Sequence, residues 1–296
     1  MRIFDSKNLL EIYKFLEQEL KQNSIISFLA PNPDIDSSAI SIKSWADLAE
    51  IFKCKLLTPK IKNSYIELTF KKLNSANSFH SSKVANISEK YGVDSAFFNI
   101  DKTKHPYFLH SFIQALNLVN FKQRENILNL GINRGDEFKL IKELLSNDEF
   151  KKLNLIGIDY CKSAIEYAKK HFNYSNVKFI NCDINKLDTL NLKRQDLIIS
   201  IGTLQSSTLN YKPLLMDLVQ NYLKKDAAII LGFPNGRWID DTLIYGAKIK
   251  NYNFSEMGVL IDDIHFAKKY LQQKQFKVFI SGREYIFLSA YKGVKL

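Results

Sequence analysis

Residues 127–136 read ILNLGINRGD, and the interpretation of the whole chain starts from them. An apolar run of strand length passes directly into a glycine-containing turn, and a helical pattern opens behind the turn. Glycine lets the backbone of such a turn approach a ligand, and the start of the helix presents free N–H groups to it. A tight connection that binds nothing has the same pattern, so the surrounding segments have to separate the two interpretations.

Strand and helix patterns alternate from residue 105 to the C-terminus. Strands are predicted at 126–130, 153–158, 177–180, 196–201 and 227–233, and helices at 107–118, 136–145, 163–172 and 211–223. This alternation predicts parallel βαβ units, and the strongly apolar strands indicate a doubly wound α/β sheet with helices on both faces. A helix at 261–272 and two strands at 276–280 and 284–290 follow, and the short glycine-containing turn between these strands predicts an antiparallel hairpin. We therefore expect a mostly parallel seven-stranded sheet that ends in a hairpin.

The N-terminal part has shorter and less regular patterns. A helix is predicted at 9–20 with Ser6 as its N-cap, and a second helix directly after Ser44, its predicted N-cap. Pro31 and Pro33 suggest a loop after this first helix, and residues 65–70 alternate as a strand does. We predict a smaller α+β cap domain at 1–104 and a larger domain at 105–296. Because ligand sites favour domain interfaces, the cap is expected to contribute to substrate recognition.

Composition is that of an ordinary globular protein, with 46% hydrophobic and 25% charged residues. No apolar run approaches the ~20 residues that span a bilayer, and the first residues lack the apolar stretch of a secretory signal. The three cysteines are widely spaced, which is typical of reduced thiols in a cytoplasmic protein and not of a disulfide or zinc framework. We expect a cytoplasmic location, no membrane partner and no metal.

The net charge of +11 permits two interpretations. A basic excess of this size is the electrostatic signature of a nucleic-acid binder. It also follows from a general Lys-rich composition, because the lysines are spread along the whole chain. Arginine, which suits bidentate phosphate contacts best, is scarce.

Polar residues stand at the ends of the next predicted strands. Asp159, followed by Tyr160, ends the second strand, where a carboxylate can accept both ribose hydroxyls of a nucleoside or can cap the next helix. Asp183 ends the third strand and is followed by Ile184, although aspartate is also common in plain turns. The fourth strand begins at Asp196 and leads into the segment 200–205. Together with the glycine turn these make four signals at successive strand ends, in one order, and they are a stronger indication than any one of them.

In this order the segments resemble the motifs of the class I S-adenosylmethionine-dependent methyltransferases, over about residues 126–291. The first turn of that family is an acidic residue followed by Gly-x-Gly-x-Gly. Gly131 and Gly135 match the first and third glycines, Asn133 replaces the second, and Asn129 stands near the acidic position. Asparagine tolerates left-handed backbone better than most residues, so the turn can be kept.

The resemblance implies S-adenosylmethionine as cofactor and a role for each strand end. Asp159 would bind the ribose, Asp183 the adenine amino group, and Ile184 would pack on the adenine ring. The segment 200–205, which contains Ser200 and Gly202, would pass under the sulfonium. The same family closes its parallel sheet with a terminal hairpin.

The acceptor is less clearly indicated. Neither Asn-Pro-Pro-Tyr nor Asp-Pro-Pro-Tyr, which hold a base nitrogen in many nucleic-acid methyltransferases, follows the fourth strand, and no Pro-Cys does either. This favours O- or N-methylation of a small molecule, with RNA as the alternative acceptor. In the long segment after the fifth strand, Arg237 could bind a carboxylate or phosphate, and Trp238 or Tyr245 could stack on a flat acceptor. Equally, this segment could be a surface arm that packs on the N-terminal domain.

Histidines are candidate bases because of their pKa range. His80 and His105 precede or begin the larger domain, and His265 lies at helical spacing in the last predicted helix. A purely structural role is the alternative for each of them.

Two further classes of protein compete with a methyltransferase. A non-catalytic binding module with the same fold would explain Asn129 and Asn133. A nicotinamide dehydrogenase shares the glycine turn and the acidic strand end, but it does not share the terminal hairpin.

Overall fold

The computed structural model describes residues 1–5, 8–74, 89–246 and 257–293. The chain divides into two compact units, one of residues 1–81 with 238–244 and one of residues 82–237 with 245–296.

The boundary between the units differs from the predicted one at 104/105. Residues 89–104 group with the second unit. One contact that joins these residues to the second unit is that of Phe98, which is buried against Cys161 and Ala164. A role of the first unit in substrate recognition stays a prediction.

The first unit is an α+β arrangement around one sheet. Its elements are β1 (Arg2–Ile3), α1 (Leu9–Gln22), β2 (Ile25–Pro31), α2 (Ile42–Ile51), β3 (Cys54–Leu56), β4 (Lys60–Lys62) and β5 (Tyr65–Lys72). The strand order is β1-β2-β5-β3, and β4 also pairs with β5. Alternate residues of β2 and β5 pack against both helices in a core that contains Leu16, Phe28, Trp45 and Phe70.

Three local predictions in this unit are wrong or replaced. Helix α1 is capped by Asn8, whose side chain accepts from the Leu10 amide at 3.0 Å, whereas Ser6 lies outside the described residues. Helix α2 is capped by Ser41, which accepts from the Ser44 amide at 3.1 Å, so Ser44 is inside the helix. The loop predicted at Pro31 and Pro33 starts only after Pro31, because Pro31 is the last residue of strand β2, which pairs along its whole length with β5. Pro33 lies in a turn, as predicted.

The second unit contains the regular alternation. Its elements are α3 (Pro106–Leu118), β6 (Asn126–Leu130), α4 (Asp136–Glu143), α5 (Asn147–Lys151), β7 (Asn154–Asp159), α6 (Lys162–His171), β8 (Val177–Asn181), β9 (Gln195–Ile201), α7 (Tyr211–Asp217), β10 (Leu223–Pro234), α8 (Gly258–Gln273), β13 (Lys277–Gly282) and β14 (Tyr285–Tyr291). Short 3-10 helices at Lys102–Lys104, Phe121–Gln123 and Ile184–Leu190 and a π-helix at Leu218–Tyr222 complete it.

The sheet of this unit has the order β13-β14-β10-β9-β6-β7-β8. Strands β10, β9, β6, β7 and β8 are parallel to one another. Strand β14 runs antiparallel between β10 and β13. The predicted doubly wound, mostly parallel seven-stranded sheet with a terminal hairpin is confirmed.

Helices cover both faces of this sheet. On one face α3, α4 and α6 pack over Leu197 and Ile199, and on the other α7 and α8 pack over Ile198. Because both faces are covered, only the edges formed by the strand ends can be open to a ligand, and the loops at the carboxyl ends of β6 to β9 carry the candidate residues.

A short hairpin follows β10. Strands β11 (Gly236–Ile239) and β12 (Thr242–Tyr245) pair with each other. The two residues between them, Asp240 and Asp241, have φ of +46° and +61°. Positive φ at both central residues is the conformation of the two-residue turns that match the twist of paired strands.

Candidate cofactor and acceptor sites

The loop after β6 is held in left-handed backbone at three positions. Gly131, Asn133 and Gly135 have φ of +81°, +46° and +94°. Gly131 is also closely approached, because a Cβ there would lie 1.9 Å from Thr203 Oγ1 in the segment after β9. Asn133 thus adopts a conformation that asparagine tolerates, and the loop keeps its turn without a middle glycine.

Asp159 connects this loop to the end of β7. Its Oδ2 accepts from the Asn133 amide at 2.8 Å, and its Oδ1 accepts from the Cys161 amide at 2.8 Å. Burial raises the pKa of the Asp159 carboxyl, although these backbone amides favour the charged form. An ionised carboxylate offers about four lone-pair positions, so two remain for a ligand's hydroxyl groups.

Asn129 and Ser200 lie at the ends of adjacent strands and differ in their contacts. Asn129 is 1% exposed, and its Nδ2 has no hydrogen-bond partner among the described residues. Ser200 is equally buried, but its hydroxyl donates to the Leu130 carbonyl at 3.1 Å and so joins β9 to β6. A buried polar atom without a partner is destabilising, so Asn129 is the better placed of the two to receive a ligand atom.

The remaining predicted cofactor residues lie around the same carboxyl edge. Asp183 caps the 3-10 helix Ile184–Leu190, and its Oδ1 accepts from the Asn185 amide at 2.9 Å. Ile184 is buried in the core of the second face. Tyr160 is 55% exposed, and Gly202 has φ of +72°.

Residues 89–105 form a segment for which the sequence predicted no element, and this segment crosses the loop after β6. The Tyr91 carbonyl accepts from Asn133 Nδ2 at 2.8 Å, and the Phe98 carbonyl accepts from Arg134 Nη1 at 3.0 Å. Burial and the charge of Asp159 raise the pKa of Tyr91. Only the cluster of aromatic residues around Gly92 could have indicated this segment, and that pattern does not reveal a long-range partner.

Buried charges connect the same segment to helix α4. Lys102 Nζ lies 3.8 Å from Glu137 Oε1, with side chains 13% and 6% exposed. Arg134 pairs with Asp136 at 2.7 Å and with Asp101 at 3.6 Å. Burial alone would lower the pKa of Lys102, but the carboxylate of Glu137 raises it overall and keeps the ammonium charged. The Lys102–Glu137 and Arg134–Asp101 pairs therefore hold this segment against helix α4 and the loop after β6.

The same segment also caps helix α6. Glu89 accepts from the Ser163 hydroxyl and from Cys161 Sγ, the latter at 3.2 Å. The hydrogen bond from Ser163 lowers the pKa of Glu89. Helix α6 has no capping side chain of its own, so Glu89 supplies the missing acceptor at its N-terminus.

The predicted acceptor residues are distributed over both units. Arg237 belongs to the second unit and is 9% exposed, whereas Trp238, also buried, groups with the first unit. Tyr245 belongs to the second unit, is 41% exposed, and its hydroxyl contacts Met257 Sδ at 3.7 Å.

The histidine candidates are also separated. His80 lies outside the described residues. His105 is half-buried at the N-terminus of α3, and His265 is exposed on α8. Within the described ranges, no group of three His, Cys, Asp or Glu side chains could hold a metal ion. No helix in the described part of the chain is long and apolar enough to cross a membrane.

Residues 122–280, more than half of the chain, match the family described as the methyltransferase domain. No curated protein matches the sequence. Among solved structures, the plantazolicin methyltransferase BpumL in complex with SAH shares 17% identity at a TM-score of 0.47, covering 70% of this chain and 94% of that one. N-methyltransferase NodS from Bradyrhizobium japonicum WM9 shares 16% identity at a TM-score of 0.44, covering 65% and 99%. A putative caffeoyl-CoA O-methyltransferase from Staphylococcus aureus shares 14% identity at a TM-score of 0.43, covering 62% and 83%.

At these identities and TM-scores the solved structures carry no argument about substrate. The antiparallel β14 between β10 and β13 argues against a nicotinamide dehydrogenase, which the glycine turn alone would have allowed. The family match and this strand order therefore agree, and the chain belongs to the methyltransferase-domain family, as a class I, S-adenosylmethionine-dependent member.

Proposed function

We propose that the second unit binds S-adenosylmethionine at the carboxyl edge of β6 to β9 and methylates an oxygen or nitrogen of a small molecule. The observation that carries this proposal is the Asp159 carboxylate. It joins the loops after β6 and β7 through two backbone amides and keeps lone pairs for a ribose.

The described residues fit this cofactor. Asp159 would bind the ribose, and the partnerless Nδ2 of Asn129 would donate to an acceptor atom of the cofactor. The loop residues that would lie along it are Gly131, Asn133, Gly135 and Tyr160, with Asp183 and Ile184 toward the adenine and Ser200 and Gly202 toward the sulfonium. When bound, S-adenosylmethionine would supply its activated methyl group to the acceptor's oxygen or nitrogen, with S-adenosylhomocysteine as the leaving group and the loss of one proton from the acceptor.

The protein's own part in this reaction is alignment. Holding two reactants in line makes their reaction effectively unimolecular, and this requires a rigid loop. The Lys102–Glu137 and Arg134–Asp136 ion pairs would supply this rigidity to the loop after β6 and the start of helix α4. Of the two candidate histidines that lie in the described ranges, His105 is half-buried three residues after Lys102, whereas His265 is exposed on α8, so His105 is our candidate for the base that takes the acceptor's proton.

The test is a calorimetric titration with S-adenosylmethionine, S-adenosylhomocysteine and NAD. We expect binding of both sulfur nucleosides and no binding of NAD. In Asp159→Ala both affinities should fall about tenfold to a hundredfold, because the ribose hydroxyls lose a charged acceptor that contributes about 1.5–3 kcal/mol.

Asp148→Ala is the matched control, because Asp148 is an exposed aspartate of the same unit on helix α5. It should bind both nucleosides as the unchanged protein does. Absence of nucleoside binding by the unchanged protein would contradict the proposal and favour a non-catalytic module.

RNA is a second candidate acceptor, supported by the net charge of +11. Binding of RNA through phosphates releases counterions, so its affinity should fall steeply between 50 and 200 mM salt. A titration of a fluorescent RNA hairpin at both salt concentrations decides between the acceptors. If the RNA does not bind, or if its affinity does not change with salt, the small molecule remains the proposed acceptor.

A further inference from the structure

The guanidinium of Arg237 is buried, and no described residue gives it a counter-charge. The residue is 9% exposed, and its Nη1 has no hydrogen-bond partner within the described ranges. Burial lowers the pKa of Arg237, and among the described residues no carboxylate offsets this effect. Buried charges are normally paired, because an isolated one loses its hydration without compensation. A buried guanidinium of this kind is therefore available to pair with an anionic ligand.

Arg237 lies close to the edge at which the methyl group would be transferred. It follows the end of β10 at Pro234 by three residues, which limits their Cα separation to about 10 Å. Pro234 in turn packs beside the end of β9, since a Cβ on Gly202 would lie 3.2 Å from Pro234 Cγ. Arg237 is therefore within reach of an acceptor bound beside the segment after β9.

Two buried hydrogen-bond acceptors lie at the same strand end. The Asn235 amide donates to the Glu284 carbonyl at 2.7 Å, so the residue that follows β10 lies beside the one that precedes β14. Asn235 Oδ1 and Glu284 Oε2 are both buried, and neither has a hydrogen-bond partner in the part of the chain that the structure describes. The other Glu284 oxygen pairs with Arg283 at 3.0 Å. A small acid that also carries an N–H or O–H group would complement one cation and two acceptors.

We propose that Arg237 binds an oxyanion of the methyl acceptor, so that the acceptor is a small acid carrying a carboxylate or a phosphate. The planar guanidinium can donate two parallel hydrogen bonds to either group. Asn235 and Glu284 receive the acceptor's N–H or O–H groups. This inference rests on the proposed function for the identity of the ligand as an acceptor, but the anion site itself does not depend on it.

The test compares three probes of similar shape: benzoate, phenyl phosphate and neutral benzamide. Each is titrated into the full chain in the presence of S-adenosylhomocysteine, and affinity is read from the shift of the thermal unfolding midpoint. We expect at least one anionic probe to bind more tightly than benzamide. In Arg237→Met, which keeps the side-chain volume, that preference should fall by about tenfold or more.

Arg194→Met is the control for unspecific attraction to a basic protein, since Arg194 is exposed in the same unit. It should keep the preference for anions. Arg237→Lys keeps the charge without the planar fork, and it should weaken benzoate less than Arg237→Met does. Without a probe, Arg237→Met should unfold at the same or a higher temperature, because a buried charge that no described carboxylate compensates is replaced by an apolar side chain.

Three results would overturn the inference. The first is an unchanged protein that prefers neither anion to benzamide, a result that needs no variant. The second is an equal loss of the preference in the Arg194 and Arg237 variants. The third is a strong destabilisation by Arg237→Met without any anion effect, which would make Arg237 a structural residue. Failure of the proposed function is distinguished from these results by a separate titration, in which S-adenosylhomocysteine does not bind the unchanged protein.

Discussion

Gly131 is subject to two constraints that other amino acids do not satisfy together. Its backbone is left-handed, and a Cβ would overlap Thr203 Oγ1 at 1.9 Å. Gly131→Ala should therefore lower the free energy of unfolding by about 2–4 kcal/mol, from backbone strain plus steric overlap. Urea denaturation measures this loss.

Gly135→Ala is the matched control at the other end of the loop. Gly135 has a similar φ of +94°, but the nearest atom to its Cβ would be Phe179 Cζ at an ordinary 3.5 Å. Gly135→Ala should therefore lower the free energy of unfolding only by the backbone strain, about 1–3 kcal/mol. Thr203→Gly should restore part of the stability of Gly131→Ala. Equal losses in the two alanine variants would show that the overlap is relieved by movement.

At the scale of residues, the sequence predicted positions better than contacts. Asp159 could be assigned to the end of β7 because it follows an apolar strand one βα unit after the glycine turn. Its acceptance of the Asn133 amide could not be predicted, because that contact depends on how two loops lie side by side. The same limit applies to Lys102 and Glu137, whose pairing joins residues 35 positions apart.

Among the elements, β6, β9 and β10 are tied together by one carboxylate. Asp196 at the start of β9 accepts from the Asn126 amide at 2.9 Å and pairs with Lys224 at 2.9 Å. Burial alone would raise the pKa of Asp196, but these hydrogen bonds lower it overall below the ordinary value of 3.8. Its stabilising effect is therefore complete above about pH 4 and is lost as the pH falls through the lower pKa of the folded state.

Asp196→Asn should consequently be less stable than the unchanged protein by about 1–2 kcal/mol at pH 7, and the difference should shrink toward pH 2. Urea denaturation at pH 7, 5, 4, 3 and 2 follows this difference. Asp148→Asn, on exposed helix α5, should show almost none at any pH. A difference for Asp196→Asn that is constant with pH would exclude the charge as its cause.

The elements that could be predicted are those whose pattern is local. Strand β6 begins and ends where the sequence indicates, at Asn126 and Leu130. Strand β2 was missed because Pro31 suggested a loop, although a proline at the last position of a strand is compatible with pairing. The β11–β12 hairpin was missed because Asp240-Asp241 is a weaker turn signal than Asn-Gly.

For the whole molecule, the division into units predicts which fragment is stable. A fragment of residues 105–296 follows the boundary expected from the sequence, and one of residues 82–296 follows the observed second unit. The shorter fragment loses the buried Phe98 and leaves Glu137 without Lys102. It should be less stable by about 3 kcal/mol or more in urea denaturation.

Both fragments lack residues 1–81 and keep residues 238–244 of the first unit, so their difference isolates residues 82–104. Equal unfolding midpoints would mean that this segment contributes nothing to the second unit. The predicted boundary was placed where regular alternation begins, and the sequence offers no local sign that the aromatic residues before it pack on distant helices.

Strand β14 has a consequence for the making of the protein. It follows the other six strands of its sheet in sequence, yet it lies inside the sheet, with β10 on one side and β13 on the other. A nascent chain leaves the ribosome from its N-terminus, so the apolar edge of β10 has to wait for its partner. At about 5–20 residues per second, the stretch from Pro234 to Tyr291 takes about 3–12 s to synthesise. During those seconds the edge can pair with other chains, and a translation product that stops before Tyr285 keeps it exposed indefinitely.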